Sequence, residues 1–186
     1  MATGRYVVAA ILAAVSVPAW GAVTVIGNSS ARMCYEAADS PSLPSMRDFD
    51  YCNAAFTEGA MSQHDEVATH VNRGILRLRR SQVDGAIADF DEAMRIDPRQ
   101  PEAYLNKGAA LIQLNNPTEA VRLFTVAIDY HTSRPEIAYF GRAIAHETLG
   151  NVRAAYDDYR VASQLAPNWQ DPQTELRRFR VVSAPQ

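Results

Sequence analysis

Apolar residues recur with the period of an amphipathic helix from about residue 66 to residue 165. Proline interrupts this pattern at short intervals, and both Pro101 and Pro117 stand where a proline can open a helix as its first residue. Asp97-Pro98 ends the preceding helix, because a residue before proline avoids the helical conformation. The pattern predicts an all-α region with helices at about 66–80, 84–96, 101–114, 118–130, 136–149 and 152–165.

The predicted helices form three similar pairs. A displacement of 34 residues places Asn72-Arg73-Gly74 on Asn106-Lys107-Gly108, and a further displacement of 35 residues continues the match. A small residue recurs in the first helix of each pair, at Gly74, Gly108 and Ala143. An aromatic residue flanked by alanines recurs in the second helix, at Ala86, Phe90 and Ala93, at Ala120, Phe124 and Ala127, and at Ala155, Tyr159 and Ala162. A period of this length indicates stacked structural repeats.

This spacing resembles the tetratricopeptide repeat, a helical hairpin of 34 residues with small and aromatic residues at these positions. The resemblance covers units at 67–100, 101–135 and 136–169. It implies a right-handed superhelical stack of helix-turn-helix repeats. Neighbouring hairpins must stack, because a single hairpin cannot bury its apolar face.

The segments on either side of the repeats are predicted to cap the stack, since terminal repeats need a polar outer face. Residues 33–66 hold two shorter helical stretches, 33–38 and 45–61, and are predicted to form an N-terminal helical cap. Residues 22–32 show no period and are predicted to be a flexible leader. Residues 170–186 are predicted to form a capping helix and tail, with Leu176, Phe179 and Val182 on one face and Arg177, Arg178 and Arg180 on the other.

The first 21 residues have the organisation of a secretory signal peptide. Arg5 precedes an apolar run from Tyr6 to Val17, and Ala19-Trp20-Gly21 has small residues at the two positions that define a cleavage site. The run is shorter than the about 20 apolar residues that span a bilayer. We therefore expect export to a bacterial periplasm or secretion, with no membrane span after signal removal. An uncleaved N-terminal anchor is the alternative.

Cys34 and Cys52 form an even pair, which favours a disulfide in an oxidising compartment. Closing their loop would stabilise the protein by about 3 kcal/mol in the chain-entropy description. Free thiols, or a metal site with His64 and His70, are the alternatives. The spacing of these four residues fits no usual zinc site.

Charge and motifs argue against several classes of function. The chain has 18 basic and 21 acidic residues, a net charge of −3, so it lacks the basic character of nucleic-acid-binding proteins. Its sequence contains no nucleophile motif and no glycine-rich phosphate loop. We therefore expect no catalytic residue, no metal and no cofactor. The carboxylates of the first hairpin are interpreted as a solvated helix face, at Asp84, Asp89, Asp91 and Glu92.

The first helix of each unit lines a concave groove in the family that the sequence resembles. The resemblance assigns nine residues to this groove: Val71, Asn72, Ile75, Leu105, Asn106, Ala109, Ile112, Phe140 and Ile144. Its wall is mainly apolar, and the amides of Asn72 and Asn106 could bind the backbone of a peptide or helix. These two residues could instead only support neighbouring helices. Family members that bind a C-terminal carboxylate need polar groups at positions where this chain has Val71 and Ile75, so we exclude that mode.

The expected function is a non-catalytic protein–protein interaction module that binds a peptide or helix in its groove. The alternative is a structural or assembly component of the cell envelope. Such a component would contact partners through its outer faces and Arg-rich ends, with its groove empty or filled by the protein itself.

Overall fold

The computed structural model describes residues 5–8, 21–27, 29–59 and 61–182. In this part of the chain the fold is an all-α stack with one short two-stranded sheet. The elements are β1 Arg5–Val8, α1 Ser29–Asp39, α2 Met46–Ala55, α3 Gln63–Arg79, α4 Val83–Ile96, α5 Pro101–Gln113, α6 Pro117–Asp129, α7 Pro135–Thr148, α8 Val152–Leu165, α9 Gln170–Leu176 and β2 Phe179–Val182.

Three helical hairpins, α3–α4, α5–α6 and α7–α8, stack in chain order. Each hairpin turns through a residue with positive φ, namely Ser81, Asn115 and Gly150, which are 34 and 35 residues apart. The next amide then donates to a carbonyl five residues back in each turn, as from Asn151 to His146 at 2.8 Å. This is the left-handed helix ending that satisfies the last helical carbonyls. The same turn chemistry therefore sets the geometry of all three hairpins.

In the first two hairpins, the two helices approach each other where the first helix has glycine. A Cβ added to Gly74 would lie 2.4 Å from the ring of Phe90, a distance that real Cβ atoms essentially never show. The ring of Phe124 lies against two glycines in the same way: a Cβ added to Gly108 would lie 3.0 Å from it, and one added to Gly141 of the next hairpin 2.4 Å. Phe90 and Phe124 are fully buried. These contacts set the distance between helices and form the core of the stack.

The cap consists of α1 and α2, which a disulfide between Cys34 and Cys52 joins. Helix α1 begins at Ser29, inside the segment that the sequence predicted to be a flexible leader. Helix α2 ends at Ala55, before the predicted end at residue 61, and the chain then turns at Gly59, which has φ of 108°. Phe56 then packs on the ring of His70 in α3, with ring centroids 4.6 Å apart, and so connects the cap to the first hairpin.

The C-terminal segment differs from the predicted capping helix. Helix α9 ends at Leu176, and residues 179–182 form β2, which pairs antiparallel with β1 so that Val8 lies opposite Phe179. Aromatic and β-branched side chains favour a strand in this segment. Phe179 is buried between Tyr156 and Tyr159, with ring centroids 5.7 and 5.9 Å away. The arginine face is also partly neutralised, because Arg178 pairs with Glu147 and Glu175.

Most of the predicted signal peptide, residues 1–4 and 9–20, lies outside the described residues. Residues 5–8 of that segment form β1. Within the described part of the chain, every helix is too short or too polar to cross a membrane.

Asp89 is buried inside the first hairpin and not on the solvated face that the sequence suggested. Arg73 contacts it at 2.7 Å, Arg77 at 2.6 Å and His70 at 3.3 Å. Burial by itself would raise the pKa of Asp89, but the hydrogen bonds from His70 and Arg73 and the charges of both arginines lower it below its usual value. The carboxylate thus joins α4 to α3 through three partners.

We expect Gly74→Ala to lower the free energy of unfolding by about 1–2 kcal/mol. Overpacking lowers the stability by about 1–3 kcal/mol, whereas the higher helix propensity of alanine raises it by at most about 1 kcal/mol. The matched control is Gly108→Ala, where the added Cβ meets Phe124 at 3.0 Å and not at 2.4 Å. The control should change stability by less than about 0.5 kcal/mol, because the two effects nearly cancel. Urea unfolding measures both variants, and equal losses would contradict the packing argument.

We expect Asp89→Asn to destabilise the protein at pH 7 by about 3 kcal/mol, because two partly buried arginines lose the buried carboxylate that pairs with them. A lowered pKa in the folded state means that the carboxylate stabilises the fold above its unfolded pKa of about 3.9, and that this contribution is lost as the pH falls through the folded value. The difference between wild type and variant should therefore shrink at pH 3. Asp91→Asn is the control, since Asp91 is half exposed and pairs, within the described residues, with Lys107 alone; this substitution should cost less than about 1 kcal/mol. A pH-independent difference would contradict this account.

Candidate functional site

Residues 21–27 lie in extended form across α3 and α5, and we call them the groove segment. Alternate residues face the helices: Gly21, Val23 and Val25 are buried, whereas Thr24 and Ile26 are exposed. This is the two-residue period of a strand that packs one face on a surface. The segment is therefore not the flexible leader that the sequence predicted, because its backbone and alternate side chains are held by the first two hairpins.

Asn72 holds the centre of the groove segment. Its side-chain oxygen accepts a hydrogen bond from the Val23 backbone N–H at 2.9 Å, and its amide nitrogen donates to the Val23 carbonyl at 2.8 Å. Asn72 is fully buried, so both bonds lie away from water. An amide paired in this way binds the backbone and not the side chain, as a neighbouring β-strand would.

Asp65 holds the C-terminal part of the segment. Its carboxylate accepts a hydrogen bond from the Ile26 backbone N–H at 3.0 Å, and its own N–H donates to the hydroxyl of Ser62, the N-cap of α3. This cap explains why α3 begins at Gln63, earlier than predicted. Burial raises the pKa of Asp65, but the hydrogen bonds from Ile26 and His64 lower it overall, so the side chain is ionised near neutral pH.

Gly21 occupies the other end of the groove segment, against α5. A Cβ added there would lie 2.8 Å from Cγ of Glu102 and 3.1 Å from Leu105. The amide nitrogen of Asn106 donates to the Gly21 carbonyl at 3.4 Å and to the Glu102 carbonyl at 2.8 Å. The two asparagines that occupy the same repeat position thus bind residues 23 and 21 of one extended segment.

The other residues assigned to the groove are largely part of the core. Val71, Ile75, Leu105, Ala109, Phe140 and Ile144 are buried, and Ile112 is half-buried. Phe140 packs between Tyr159 and Trp169, with ring centroids 5.5 and 4.6 Å away. Of the nine, Asn72, Asn106 and Leu105 have a contact with the groove segment that the structure defines.

The sequence did not predict two elements of this site, namely Asp65 and the groove segment itself. Asp65 precedes the predicted first repeat, at residue 67, so the repeat pattern could not mark it. The alternation in Gly21-Ala22-Val23-Thr24-Val25 was a signal for the segment, because a strand with one buried face shows this period.

The described residues contain no group of three or more His, Cys, Asp or Glu side chains placed to hold a metal ion. Their polar groups at the groove bind backbone amides and carbonyls. The arrangement can therefore hold an extended polypeptide.

Comparison with known proteins agrees with this architecture. A tetratricopeptide repeat family model matches residues 77–144. The first such domain of human RPAP3 is 25% identical and superposes with a TM-score of 0.58, covering 62% of this chain and 90% of that one. The first TPR of Spaghetti (RPAP3), bound to an HSP90 peptide, is 24% identical, with a TM-score of 0.57 and coverage of 60% and 88%.

A bacterial structure extends the superposition further along the chain. MamA residues 41-end from Desulfovibrio magneticus RS-1 is 15% identical, with a TM-score of 0.61, covering 80% of this chain and 82% of that one. At this identity the likeness concerns the fold alone. The sequence match spans most of the three helical hairpins, and both comparisons agree with the repeat fold described above.

Proposed function

We propose that the protein is a non-catalytic protein-interaction module, exported to a bacterial periplasm or secreted, whose groove binds polypeptide in extended form. The observation that carries this proposal is the paired contact of Asn72 with both backbone groups of Val23. The Asn72 amide forms the two backbone hydrogen bonds that a neighbouring β-strand would form. It therefore does not require a particular side chain on the bound residue. Extended peptide is thus the class of ligand that the groove fits best.

Two further observations support the proposal. Similar solved repeats bind peptides, namely an HSP90 peptide in the RPAP3 structure above and an HSP70 peptide in the second RPAP3 domain. Export is supported by the signal-like first 21 residues and by the Cys34–Cys52 disulfide, since such bonds persist in oxidising compartments. Neither RPAP3 peptide is proposed as a ligand here, because Val71 and Ile75 replace the polar residues that a carboxylate-binding groove needs.

One observation favours the structural alternative. The groove is occupied by residues of the same chain, and Val23 and Val25 are buried in it. A tethered segment has an effective concentration on the order of millimolar, so an external peptide of equal intrinsic affinity competes poorly. Binding in trans therefore requires that the groove segment leave, and the experiment must first displace it.

We expect Val23→Asp to displace the groove segment and open the groove to an external peptide, because it places a carboxylate at a buried position. The probe is a fluorescent, N-acetylated peptide with the sequence of residues 21–27, and fluorescence anisotropy measures its Kd for the full chain. The variant should bind at least tenfold more tightly than wild type. Thr24→Asp, with the same charge on the exposed face, should behave as wild type.

Adding Asn72→Ala to the Val23→Asp chain should weaken peptide binding by about tenfold, since two hydrogen bonds of about 0.5–1.5 kcal/mol each are lost. Circular dichroism checks that all variants keep their helices. If the opened groove binds the peptide no better than wild type does, binding in trans is contradicted and the structural alternative, with a self-filled groove, is favoured.

A further inference from the structure

A hydrogen-bond acceptor is left without a donor at the Gly21 end of the groove. The side-chain nitrogen of Asn106 donates to two carbonyls, those of Glu102 and Gly21, which fixes the orientation of the amide. Its oxygen, Oδ1, is buried and has no hydrogen-bond partner among the described residues. A buried acceptor without a donor is unfavourable and rare. A ligand that places a hydrogen-bond donor at Oδ1 of Asn106 would therefore be favoured at this end of the groove.

A buried carboxylate lies one helical turn away and lacks a cation. Glu102 is 7% exposed, and its Oε1 accepts hydrogen bonds from the Ser133 backbone N–H at 2.8 Å and from the Thr132 hydroxyl at 3.4 Å. In the described part of the chain no Lys, Arg or His forms a salt bridge with it. Arg134, which follows Ser133, pairs with Glu136 at 2.6 Å. Buried carboxylates are usually paired with a positive charge.

The peptide bond between Gly21 and Ala22 lies at both groups. The Gly21 carbonyl contacts the Asn106 amide, and a Cβ on Gly21 would touch Glu102. The Ala22 nitrogen is bonded to the carbon of the Gly21 carbonyl, so it is two bonds away from the oxygen that accepts the hydrogen bond from Asn106. An uncharged N–H at this place cannot pair with a carboxylate as a cation does. An α-ammonium group has three donors and a positive charge, and it would supply what both groups lack.

We propose that this end of the groove is a binding site for a free α-amino group, and that its occupant is the protein's own N-terminus at Ala22 after removal of residues 1–21. The inference rests on the export in the proposed function. A signal-peptidase-class endopeptidase adds water across the Gly21–Ala22 bond, which leaves a carboxylate on Gly21 and an ammonium on Ala22. The new ammonium then pairs with Glu102 and donates to Oδ1 of Asn106, and Asn72 keeps Val23 in place.

The test uses the protein produced from its full-length gene and purified from the cell envelope. Intact-mass measurement should show a chain that begins at Ala22. Such a chain has two primary amines, its α-amine and Lys107, because Lys107 is the single lysine of the sequence. Acylation at pH 7 followed by peptide mass spectrometry reports each amine separately. The α-amine should react about tenfold more slowly in the folded protein than in urea, since a pKa raised by one lowers the reactive neutral fraction tenfold.

Glu102→Gln should restore the acylation rate to within about twofold of the unfolded value, because it removes the charge and keeps the shape of the side chain. Glu136→Gln, which removes a salt-bridge partner of the neighbouring Arg134, is the matched control and should leave the rate slow. A chain that begins elsewhere, an α-amine that reacts equally fast folded and unfolded, or a rate unaffected by Glu102→Gln would each overturn the proposal.

Hydrogen exchange of the Val23 amide separates this inference from the proposed function. If Val23 is protected and the α-amine reacts normally, the groove still holds an extended segment and only the amine site is wrong. If Val23 is unprotected, the segment does not occupy the groove, and both the amine site and the backbone recognition on which the proposed function depends are overturned.

Discussion

The structure depends on how closely the two helices of each hairpin approach. In the middle of the stack one side chain sets two distances, because the ring of Phe124 lies against Gly108 of its own hairpin and against Gly141 of the next. A ring without space on either side fixes the separation of α5 from α6 and of α6 from α7. The first helices α3, α5 and α7 are thereby held next to one another. Their adjacent faces form the wall against which residues 21–27 pack.

Polar contacts fix the register of the outer hairpins and not of the middle one. Arg73 pairs with Asp89 in the first hairpin, and Arg142 pairs with Asp158 at the equivalent place in the third, through two hydrogen bonds of 2.8 Å. In the middle hairpin, Leu123 takes the place of the carboxylate and is fully buried. A buried ion pair contributes little more to stability than an apolar pair, but a shifted register would leave its charges unpaired. The two terminal hairpins, which have a neighbour on one side only within the repeat stack, are the ones that carry such pairs.

Features that depend on neighbouring residues, such as the bounds of the helices, could be predicted from the sequence. Features that depend on contacts between distant residues could not. The six repeat helices begin and end within about three residues of the predicted positions, because glycine, proline and the helical period act locally. Asp89 looked solvated by the same period, yet three basic groups of α3 surround it. Val23 depends on Asn72, which is 49 residues away, and in the chain before any removal of residues 1–21 β2 pairs with β1 at the opposite end of the sequence. Single-sequence patterns do not contain such pairings.

Recognition of a backbone by asparagine has a consequence for specificity. Asn72 and Asn106 would accept any residue in extended conformation, so they cannot set the register of the segment that they bind. For the chain's own segment the register is set by the tether, because α1 begins at Ser29, directly after the segment. A segment from another protein lacks this tether, and under the proposed function its register must come from the buried positions that Val23 and Val25 occupy. These positions favour apolar residues two apart in the sequence, as in the chain's own segment.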